Sequence, residues 1–497
     1  MCGIIGMTFE NNYDQIASNS YTSLYHQQHR GADSAGIAVE REDGSYQIQK
    51  GPGTLDYVFA HKSAFRSKEW TGPLSVGHVR YSTSGVDYED PFSVEQATLA
   101  AQPFKGDFRG KKFFMVYNGN LTPDCCDELH RKLYKQEFDE EWTERNPRVD
   151  TELIAKTIEL SRKETFIDAI LKDMCPNLRG AFSIIFLYDG ALYAIRDKHG
   201  FRPLELGKHK YGYVLSSEDN VCDRRKFPGN SKIRSIEPGE CLVLKKNPDG
   251  SVSHTSHQWK YTPKEKQHVC QFELVYFKRF DSSHNGKSLA YLRNQLGKQL
   301  ARECPPPPNT DIVFGVPDSG CAAAWGYAEE SKIPYDQRGL QRLHNTGRSF
   351  LEPVHFLRKE GIEMKLTVIP EFLEGKNIVV IDDSVVRGNV ISRIVYLLKD
   401  AGAHEVHFRV SSPPVRHGCW YGIDTYRIED ELIARQSKDI QEIIRRINEQ
   451  VTLHYGCSYT LDSLAYISLE GMENAWRREG IQEGLCNACW TGDYPER

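Results

Sequence analysis

Apolar residues recur along the chain in two kinds of pattern, and a different pattern dominates in each half. In the first half, short apolar runs alternate with turn residues, such as AFSIIFLY and ALYAIR on either side of Asp189-Gly190. This pattern predicts β-hairpins at 181–197 and around Pro248-Asp249-Gly250. Helical spacing of apolar residues predicts helices at 151–162 and 166–174. The first half is therefore expected to be an α+β domain built mostly of antiparallel sheet.

The second half shows strands that are apolar throughout, followed by helical patterns. The runs DIVFGV (311–316), NIVVID (377–382) and EVHFRVS (405–411) have the composition of strands covered on both faces. Small or apolar residues at helical spacing follow the first two runs, at 321–328 and 390–398. This order predicts an α/β domain with a parallel sheet.

The stretch NIVVIDDSVVRGNVIS (377–392) combines a predicted buried strand, two adjacent carboxylates and the start of a helix. Asp382 and Asp383 stand where the strand ends, and a loop containing Arg387-Gly388 leads into the helix. In open α/β sheets, ligands bind outside the carboxyl ends of the strands, beside helix N-termini that attract phosphate. Two interpretations fit this stretch alone: a ligand site, or a surface turn with two solvated aspartates.

Composition narrows the class of protein. The 497 residues are enough for two or three hydrophobic cores. The chain has 63 basic and 68 acidic residues and a net charge of −5. This near-balance of charge predicts neither nucleic-acid binding nor attraction to an anionic membrane. We expect no signal peptide and no membrane span. Thirteen cysteines, an odd number scattered along a long chain, indicate a cytoplasmic protein with reduced thiols.

A polar segment divides the chain. Residues 253–268, SHTSHQWKYTPKEKQH, lack an apolar stripe and are interpreted as a connection. We therefore predict a first domain at 2–260, a second at 270–470, and a C-terminal tail at 471–497. The tail carries a CxxC pattern, Cys486 and Cys489, which alone fits a zinc half-site, a redox pair or two structural cysteines.

Cys2 directly follows the initiator methionine. Removal of Met1 would leave a cysteine with a free α-amino group, whose unperturbed pKa is roughly 7.7–8.0. Such an amine can act as the base for the adjacent thiol, so one residue supplies both nucleophile and base. A lone cysteine at position 2 is more often structural, and other motifs must decide between the two interpretations.

Those motifs occur in order along the chain. MCGIIG is followed by HRGADSAGIA (29–38), GHVRYSTSG (77–85), YNGNLT (117–122), VDTE (149–152) and RDKHGFRPL (196–204). Together they resemble the amidophosphoribosyltransferases, and the resemblance covers about residues 1–490. It implies an αββα sandwich of the N-terminal-nucleophile type, followed by an α/β domain of the type I phosphoribosyltransferase class. It also implies glutamine as a substrate and a homotetramer.

The resemblance implies roles for individual residues of the glutaminase half. Cys2 would attack the glutamine amide, and Asn118 with the Gly119 N–H would form the oxyanion hole. Arg80, with Thr83 in the same motif, would bind the substrate's α-carboxylate. Asp150 would bind the α-ammonium group, or begin the helix at 151–162, or do both. One departure is Tyr117, where the family often has histidine.

For the second half, the resemblance implies that ammonia displaces diphosphate from phosphoribosylpyrophosphate and gives phosphoribosylamine, the first step of purine synthesis. Magnesium would be held by Ser319, Asp382 and Asp383, with substrate phosphates completing its shell. Arg348 and Lys365 match basic positions of a loop that covers the substrate. Arg387 and Gly388 belong to the loop expected to hold the sugar phosphate.

Departures from the family pattern cluster in this second site. Where the family reads Arg-Gly-Thr-Thr-Ser, this chain reads Arg-Gly followed by Asn389, Val390 and Ile391, so the phosphate-binding hydroxyls are missing. Arg342 stands where a lysine is expected, and Pro370 where an arginine is expected. Two functional hypotheses therefore remain beside each other: an ordinary enzyme with a modified phosphate site, and a paralogue with another phosphosugar acceptor. A regulatory binding protein with a degenerate site is a third, although the retained carboxylates argue against it.

Four cysteines match the iron–sulfur subclass of the family. They are Cys270 in CQFELVYF, Cys419 in PPVRHGCWYGID, and the CxxC pair Cys486 and Cys489. Four thiolates are the usual ligand set of a [4Fe–4S] cluster. The resemblance thus implies such a cluster, with zinc or separate buried cysteines as alternatives.

Overall fold

Three large sheets form the framework of the protein. The computed structural model describes residues 1–81, 98–134, 150–223, 225, 227–343, 366–423 and 425–496. In these ranges the chain forms a seven-stranded and a six-stranded antiparallel sheet, then a four-stranded parallel sheet. No helix in these ranges is long and apolar enough to cross a membrane.

The first half supplies both large sheets. Its strands are β1 (Gly3–Phe9), β2 (Ser34–Glu40), β3 (Tyr46–Pro52), β4 (Leu74–Arg80), β5 (Phe104–Phe108), β6 (Lys111–Leu121), β7 (Gly180–Tyr188), β8 (Ala191–Arg196), β9 (Glu205–His209), β10 (Gly212–Ser216), β11 (Ser231–Ser235), β12 (Glu240–Lys246) and β13 (Val252–Gln258). The first sheet has the order β11-β9-β10-β1-β4-β2-β3, and the second has the order β13-β12-β8-β7-β6-β5. Strand β1, which begins one residue after Cys2, lies at the centre of the first sheet.

Helices cover the outer faces of these two sheets. They are α1 (Ile16–Tyr25), α2 (Leu55–Val58), α3 (Pro123–Tyr134), α4 (Asp150–Glu159) and α5 (Phe166–Asp168), and a π-helical turn continues α5. One apolar core, which includes Ile4, Val76, Phe114 and Leu242, lies between the two sheets. Two further cores join each sheet to its own helices. The layer order is therefore helix, sheet, sheet, helix, as predicted.

The second half begins with a short parallel pairing and leads into the parallel sheet. Its strands are β14 (Val269–Cys270), β15 (Ser283–His284), β16 (Lys287–Ser288), β17 (Ile312–Gly315), β18 (Leu340–Arg342), β19 (Leu366–Val368), β20 (Asn377–Asp382), β21 (Glu405–Val410), β22 (Ser463–Tyr466) and β23 (Leu485–Cys486). The helices are α6 (Leu289–Glu303), α7 (Cys321–Ser331), α8 (Asn389–Asp400), α9 (Ile440–Tyr455), α10 (Leu469–Arg478) and α11 (Ala488–Thr491). The sheet order is β17-β20-β21-β22, with every pairing parallel.

Most of the predicted elements are confirmed. Both hairpins form, and the three apolar runs become β17, β20 and β21. The prediction of a connection at 253–268 was wrong for its first six residues, because β13 continues through Gln258. β13 is an edge strand that pairs only with β12, and most of its side chains are exposed, so it needs no apolar stripe. The proposed domain boundaries themselves stay a prediction.

Candidate active sites

The first candidate site forms around Cys2, at the start of the central strand β1. The Cys2 N–H donates to Asn118 Oδ1 at 3.0 Å, and its carbonyl accepts from Arg30 Nε at 2.9 Å. The Cys2 Sγ lies 4.0 Å from the Tyr81 carbonyl. The thiol is half-buried, whereas the backbone on both sides of it is tightly held. After removal of Met1, the Cys2 nitrogen would be the amine that Asn118 orients.

Asn118 and Gly119 lie together on β6, as the oxyanion-hole prediction requires. Asn118 is fully buried, and its Nδ2 has no hydrogen-bond partner among the described residues. A buried unpaired donor is costly and indicates a group that is satisfied in another state. Gly119 pairs with Phe182 so closely that a Cβ would lie 1.9 Å from the Ala181 carbonyl oxygen. This position therefore accepts only glycine.

Asp150 is the first residue of α4 and points its carboxylate at the end of β6. Its Oδ2 accepts from the Leu121 N–H at 2.9 Å and from the Tyr117 hydroxyl at 3.1 Å. Burial raises the pKa of Asp150, and the nearby Arg80 charge opposes that rise. Tyr117, a departure from the family pattern, thus contacts the predicted ammonium-binding carboxylate directly. The structure brings Cys2, Asn118, Gly119, Arg80 and Asp150 to one end of the sandwich.

Two supporting residues of this site were missed by the sequence analysis. His78 on β4 is buried, and its Nε2 lies 3.1 Å from the Tyr117 carbonyl. Burial lowers the pKa of His78 to about 3, so the ring is neutral at physiological pH. Gln102 accepts from the Tyr117 N–H at 2.7 Å and donates to Thr151 at 3.2 Å. Both residues fix the strand that carries Asn118. His78 lies within the motif GHVRYSTSG, but the sequence analysis assigned no role to either residue.

A buried ion network links Cys2 to the second half of the chain, and it too was missed. Arg30 pairs with Glu273 through Nη1 at 3.1 Å and Nη2 at 2.8 Å. Its Nη1 also donates to Glu218 at 2.7 Å. Glu218 in turn accepts from the Arg279 N–H at 3.0 Å and from the Ser282 hydroxyl at 2.6 Å. The motif around residues 29–38 had drawn attention to Arg30, but the residue types alone did not assign it a partner.

The second candidate site lies at the carboxyl end of β20. Asp382 and Asp383 are only 7% and 4% exposed, although they are adjacent and carry like charges. Burial, and for Asp382 the charge of Asp383, raise the pKa of both carboxyls above their usual range. The Ser384 hydroxyl donates to Asp383 at 2.6 Å, and Ser319 is also hydrogen-bonded to Asp383. The predicted trio Ser319, Asp382 and Asp383 is therefore brought together.

The loop before α7 reaches this acidic pair by a close backbone approach. A Cβ on Gly320 would lie 2.3 Å from the Ile381 carbonyl oxygen, so glycine is required beside β20. In the same loop, the Asp318 carboxylate accepts from Arg342 Nη1 at 2.6 Å. Arg342, which replaces an expected lysine, thus lies at the edge of this site.

The oxygen atoms at the end of β20 suit a hard cation. Carboxylates and hydroxyls are the ligands that magnesium prefers, and two buried like charges are stabilised by a cation between them. Among the described residues, no three side chains are already arranged as the ligands of a metal ion. Magnesium usually takes only one or two carboxylates from the protein, and phosphates and water complete its shell. The residues therefore fit the predicted ion, which stays a prediction.

The loop after Asp383 ends at Gly388, where α8 begins. Gly388 has φ +88°, and a Cβ there would lie 2.8 Å from both Gln450 Oε1 and Ile433 Cδ1. Arg387 makes an exposed ion pair with Glu431 at 3.0 Å. Asn389 and Val390 are exposed at the helix start, so phosphate contacts there would come from backbone N–H groups and the Asn389 amide.

The four predicted cluster cysteines lie in one buried group. Cys270 and Cys486 are opposite each other in the β14–β23 pairing. Cys489 is hydrogen-bonded to Cys419, and this bond is the main reason that the pKa of Cys419 is lowered to about 6. All four side chains are less than 10% exposed and belong to the same core. The four thiols are close enough to influence one another's pKa, and four thiolates are the usual donor set of an iron–sulfur cluster. These residue types fit the predicted group, which stays a prediction.

Three predicted substrate-binding residues lie outside the described residues. Thr83 belongs to 82–97, and Arg348 and Lys365 belong to 344–365. Their assignments stay predictions.

Together, the two sites define a class of protein: a cysteine-nucleophile glutamine amidotransferase joined to an α/β transferase domain. A family described as "Glutamine amidotransferase domain" matches residues 91–223. An amidophosphoribosyltransferase of Archaeoglobus fulgidus is 36% identical over 497 residues, which cover 100% of this chain and 98% of that protein. One from Synechococcus elongatus is 37% identical over 500 residues, covering 99% and 91%. The chain belongs to the amidophosphoribosyltransferase family.

Solved structures confirm the fold class. A glutamine phosphoribosylpyrophosphate amidotransferase from B. subtilis, complexed with ADP and GMP, has a TM-score of 0.80 and 32% identity. That match covers 100% of this chain and 98% of the other. A structure described as the allosteric regulatory enzyme of purine biosynthesis has a TM-score of 0.81 and 32% identity, covering 100% and 96%.

Proposed function

We propose that this protein is a glutamine-dependent amidotransferase that makes 5-phosphoribosylamine from phosphoribosylpyrophosphate. The observation that carries the proposal is the pairing of Cys2 with Asn118, whose buried Nδ2 has no partner in the part of the chain that the structure describes. A donor left free at this place is what a developing oxyanion requires. The acidic pair at the end of β20 supplies the second half of the reaction.

The first half-reaction uses the residues around Cys2. Its free amine, once Met1 is removed, accepts the thiol proton, and the sulfur attacks the amide carbon of glutamine. Asn118 Nδ2 and the Gly119 N–H stabilise the oxyanion, and ammonia leaves as the thioester forms. Water then cleaves the thioester and releases glutamate. Arg80 and Asp150 hold the α-carboxylate and the α-ammonium group of the substrate.

The second half-reaction takes place at Asp382 and Asp383. Ammonia forms a bond to C1 of the sugar, and the bond from C1 to the diphosphate oxygen breaks with inversion. Magnesium, when bound, neutralises the departing diphosphate. Ser319 and the two aspartates would hold the ion and orient the ribose hydroxyls. Arg348 and Lys365, which lie outside the described residues, would be further residues that bind the substrate. Ammonia reaches this site inside the protein rather than through bulk water.

Diphosphate release tests this proposal directly. Protein incubated with glutamine, magnesium and phosphoribosylpyrophosphate should release one diphosphate for each glutamate formed. Omission of phosphoribosylpyrophosphate should abolish diphosphate release. If glutamate forms but no diphosphate appears, the acceptor assignment is wrong.

A second candidate function is amination of a different phosphosugar. The observation that favours it is the start of α8, where Val390 is 41% exposed and Ile391 is packed in the core, so neither offers a hydroxyl to a phosphate. A panel of phosphosugars, assayed for glutamine-dependent amination, distinguishes the two functions. A regulatory binding protein would instead bind nucleotide or sugar phosphate without turnover.

The cofactor and assembly are part of the same proposal. The buried group of Cys270, Cys419, Cys486 and Cys489 supports a [4Fe–4S] cluster rather than a substrate site. An anaerobic preparation should be brown and should lose its colour in air, whereas a colourless protein with stoichiometric zinc would contradict the cluster. The family resemblance supports a homotetramer in the cytoplasm, which sedimentation would test.

A further inference from the structure

Arg202 occupies a fully buried position beside the cysteine group. Its Nε donates to the Tyr421 carbonyl at 2.8 Å, and its Nη2 donates to the same oxygen. The Tyr421 N–H in turn donates to the sulfur of Cys419 at 3.3 Å. On the other side, the Cys270 N–H donates to the carbonyl of Phe201 at 3.4 Å. Arg202 is thus connected, through its immediate neighbours, to two of the four cysteines.

The far end of the Arg202 side chain faces the nucleophile. Its Nη1 contacts the Met1 sulfur and lies 3.6 Å from Glu273 Oε1. Glu273 is the carboxylate that holds both Nη atoms of Arg30. Arg30 Nε donates to the Cys2 carbonyl at 2.9 Å. A continuous chain of charged groups therefore runs from the cysteines to the nucleophile.

The carboxylate of Glu273 is shared unequally between two arginines. Glu273 makes its direct hydrogen bonds to Arg30 and stands farther from Arg202. The ion pair with Glu273 is the one ion pair that Arg202 makes within the described ranges. A buried guanidinium needs negative charge around it, and an iron–sulfur group held by four thiolates supplies it.

The backbone around Arg202 is built to hold it in place. The Arg202 carbonyl accepts from Arg196 Nε at 2.7 Å and from the Ser183 hydroxyl at 3.2 Å. Asp197 accepts from three consecutive N–H groups, those of His199, Gly200 and Phe201, just before Arg202. The backbone at Arg202 and the turn before it are therefore held by several hydrogen bonds.

We propose that Arg202 is a positioning residue that couples the cysteine-held cluster to Cys2. Its guanidinium acts as the buried counter-ion of the anionic group and, through Glu273 and Arg30, fixes the carbonyl of the nucleophile. This inference rests on the proposed cofactor and on the proposed glutaminase reaction. It predicts that a change at the cluster alters glutamine hydrolysis even though no cysteine of the group touches glutamine.

Three variants separate charge, geometry and general packing. Arg202→Met removes the charge, and Arg202→Lys keeps the charge but loses the two-pronged contact with Tyr421. Arg409→Met is the matched control, because Arg409 is also buried but, within the described ranges, donates to the Phe408 and Pro305 carbonyls and to the Ser463 hydroxyl, with no carboxylate partner. For each iron-loaded protein, the measurements are iron content, the midpoint reduction potential of the cluster, and kcat and KM for glutamine hydrolysis.

The expected results differ between the variants. In Arg202→Met the potential shifts to a more negative value, because a nearby cation stabilises the reduced, more negative cluster. In both Arg202 variants kcat/KM for glutamine falls about tenfold, within the usual range for residues in a coupling network. Arg202→Lys keeps the wild-type potential, and Arg409→Met keeps both properties. Should Arg202→Met fail to fold, the lysine variant still tests the geometric coupling.

Several outcomes overturn the inference. An unchanged potential in Arg202→Met with full iron content contradicts the counter-ion role. Unchanged glutamine kinetics in both Arg202 variants contradicts the coupling. A wild-type protein without iron overturns both the cofactor and this inference, whereas its glutamine kinetics still report on the proposed function.

Discussion

The two candidate sites of this protein differ in how completely their polar groups are arranged before a substrate binds. Around Cys2, the backbone N–H and carbonyl of Cys2 have partners, whereas two buried nitrogens, Nδ2 of Asn118 and Nδ1 of His78, have none among the described residues. The Asn118 donor is the one that a reacting substrate would engage. At the end of β20, two adjacent aspartates are buried with like charges and raised pKa values. The first site is arranged before its substrate binds, whereas the second would be completed by the proposed cation and phosphate ligand.

This difference follows from the chemistry of each half-reaction. An oxyanion exists only briefly, so its donors must be fixed in advance on rigid strands. The proposed diphosphate substrate would bring its own charge and a magnesium ion, so the acidic pair needs no counter-charge from the protein before the substrate binds. The first site thus presents a fixed hydrogen-bond donor, and the second presents two buried carboxylates.

The largest expected effect comes from a substitution that inactivates the first site and leaves the second site intact. Cys2→Ala should lower glutamine-dependent product formation by about 10⁴-fold or more, because the nucleophile is lost. With external ammonia the same variant should still release diphosphate. Cys457→Ala, which changes a half-buried cysteine remote from both sites, is the control and should match the wild type. Glutamine hydrolysis by Cys2→Ala at the wild-type rate would mean that the nucleophile lies elsewhere.

The second-largest expected effect tests whether the buried Nδ2 donor of Asn118 stabilises the oxyanion. Asn118→Ala should lower kcat for glutamine hydrolysis about 10²-fold and change KM much less, because the oxyanion forms only after binding. Arg80→Met should show the reverse division, with a raised KM. If kcat and KM changed equally in both variants, the assignment of Arg80 to substrate binding and of Asn118 to oxyanion stabilisation would be contradicted.

A smaller effect tests the rigidity of the strand that carries this donor. Gly119→Ala should lower the free energy of unfolding by about 1–3 kcal/mol, since its Cβ would lie 1.9 Å from the Ala181 carbonyl oxygen. Gly51→Ala is the control, because the nearest atom to its Cβ is 3.9 Å away. Denaturant titration measures both variants, and equal stabilities would show that the β6–β7 pairing has room to adjust.

The smallest expected effect concerns the buried acidic pair of the second site. A buried carboxyl whose pKa is raised makes the folded state bind extra protons, so stability falls as pH rises from the unfolded pKa through the folded pKa. Without magnesium, Asp382→Asn should therefore raise the free energy of unfolding by about 1 kcal/mol at neutral pH. It should also weaken the pH dependence of stability from the acidic range to neutrality. Magnesium should stabilise the wild type more than the variant, and the opposite order would contradict the role of the pair.

Sequence patterns predicted the strands, the hairpins and the acidic pair because these depend on local periodicity and turn residues. β20 and the two carboxylates at its end follow from seven consecutive residues, 377–383. β13 was assigned too short because an exposed edge strand carries no apolar period. The fourth parallel strand, β22, has four residues, too few for a period to be recognised.

The supporting groups of the first site were not predictable in the same way. Arg30, Glu218 and Glu273 are separated by up to 243 residues along the chain, and their pairing exists only in the folded protein. His78 and Gln102 are ordinary residue types on or near strands. The charged chain through Arg202 likewise depends on tertiary contacts that no local pattern encodes.

The central claim is that ammonia released at Cys2 is used at the acidic pair of the same molecule. The most direct measurement follows the amide nitrogen of labelled glutamine in the presence of excess unlabelled ammonium and phosphoribosylpyrophosphate. The account predicts that the aminated sugar carries mainly the label and that glutamate and diphosphate form in equal amounts. Product in which the label is diluted by external ammonium, or glutamate formed without diphosphate, would contradict it.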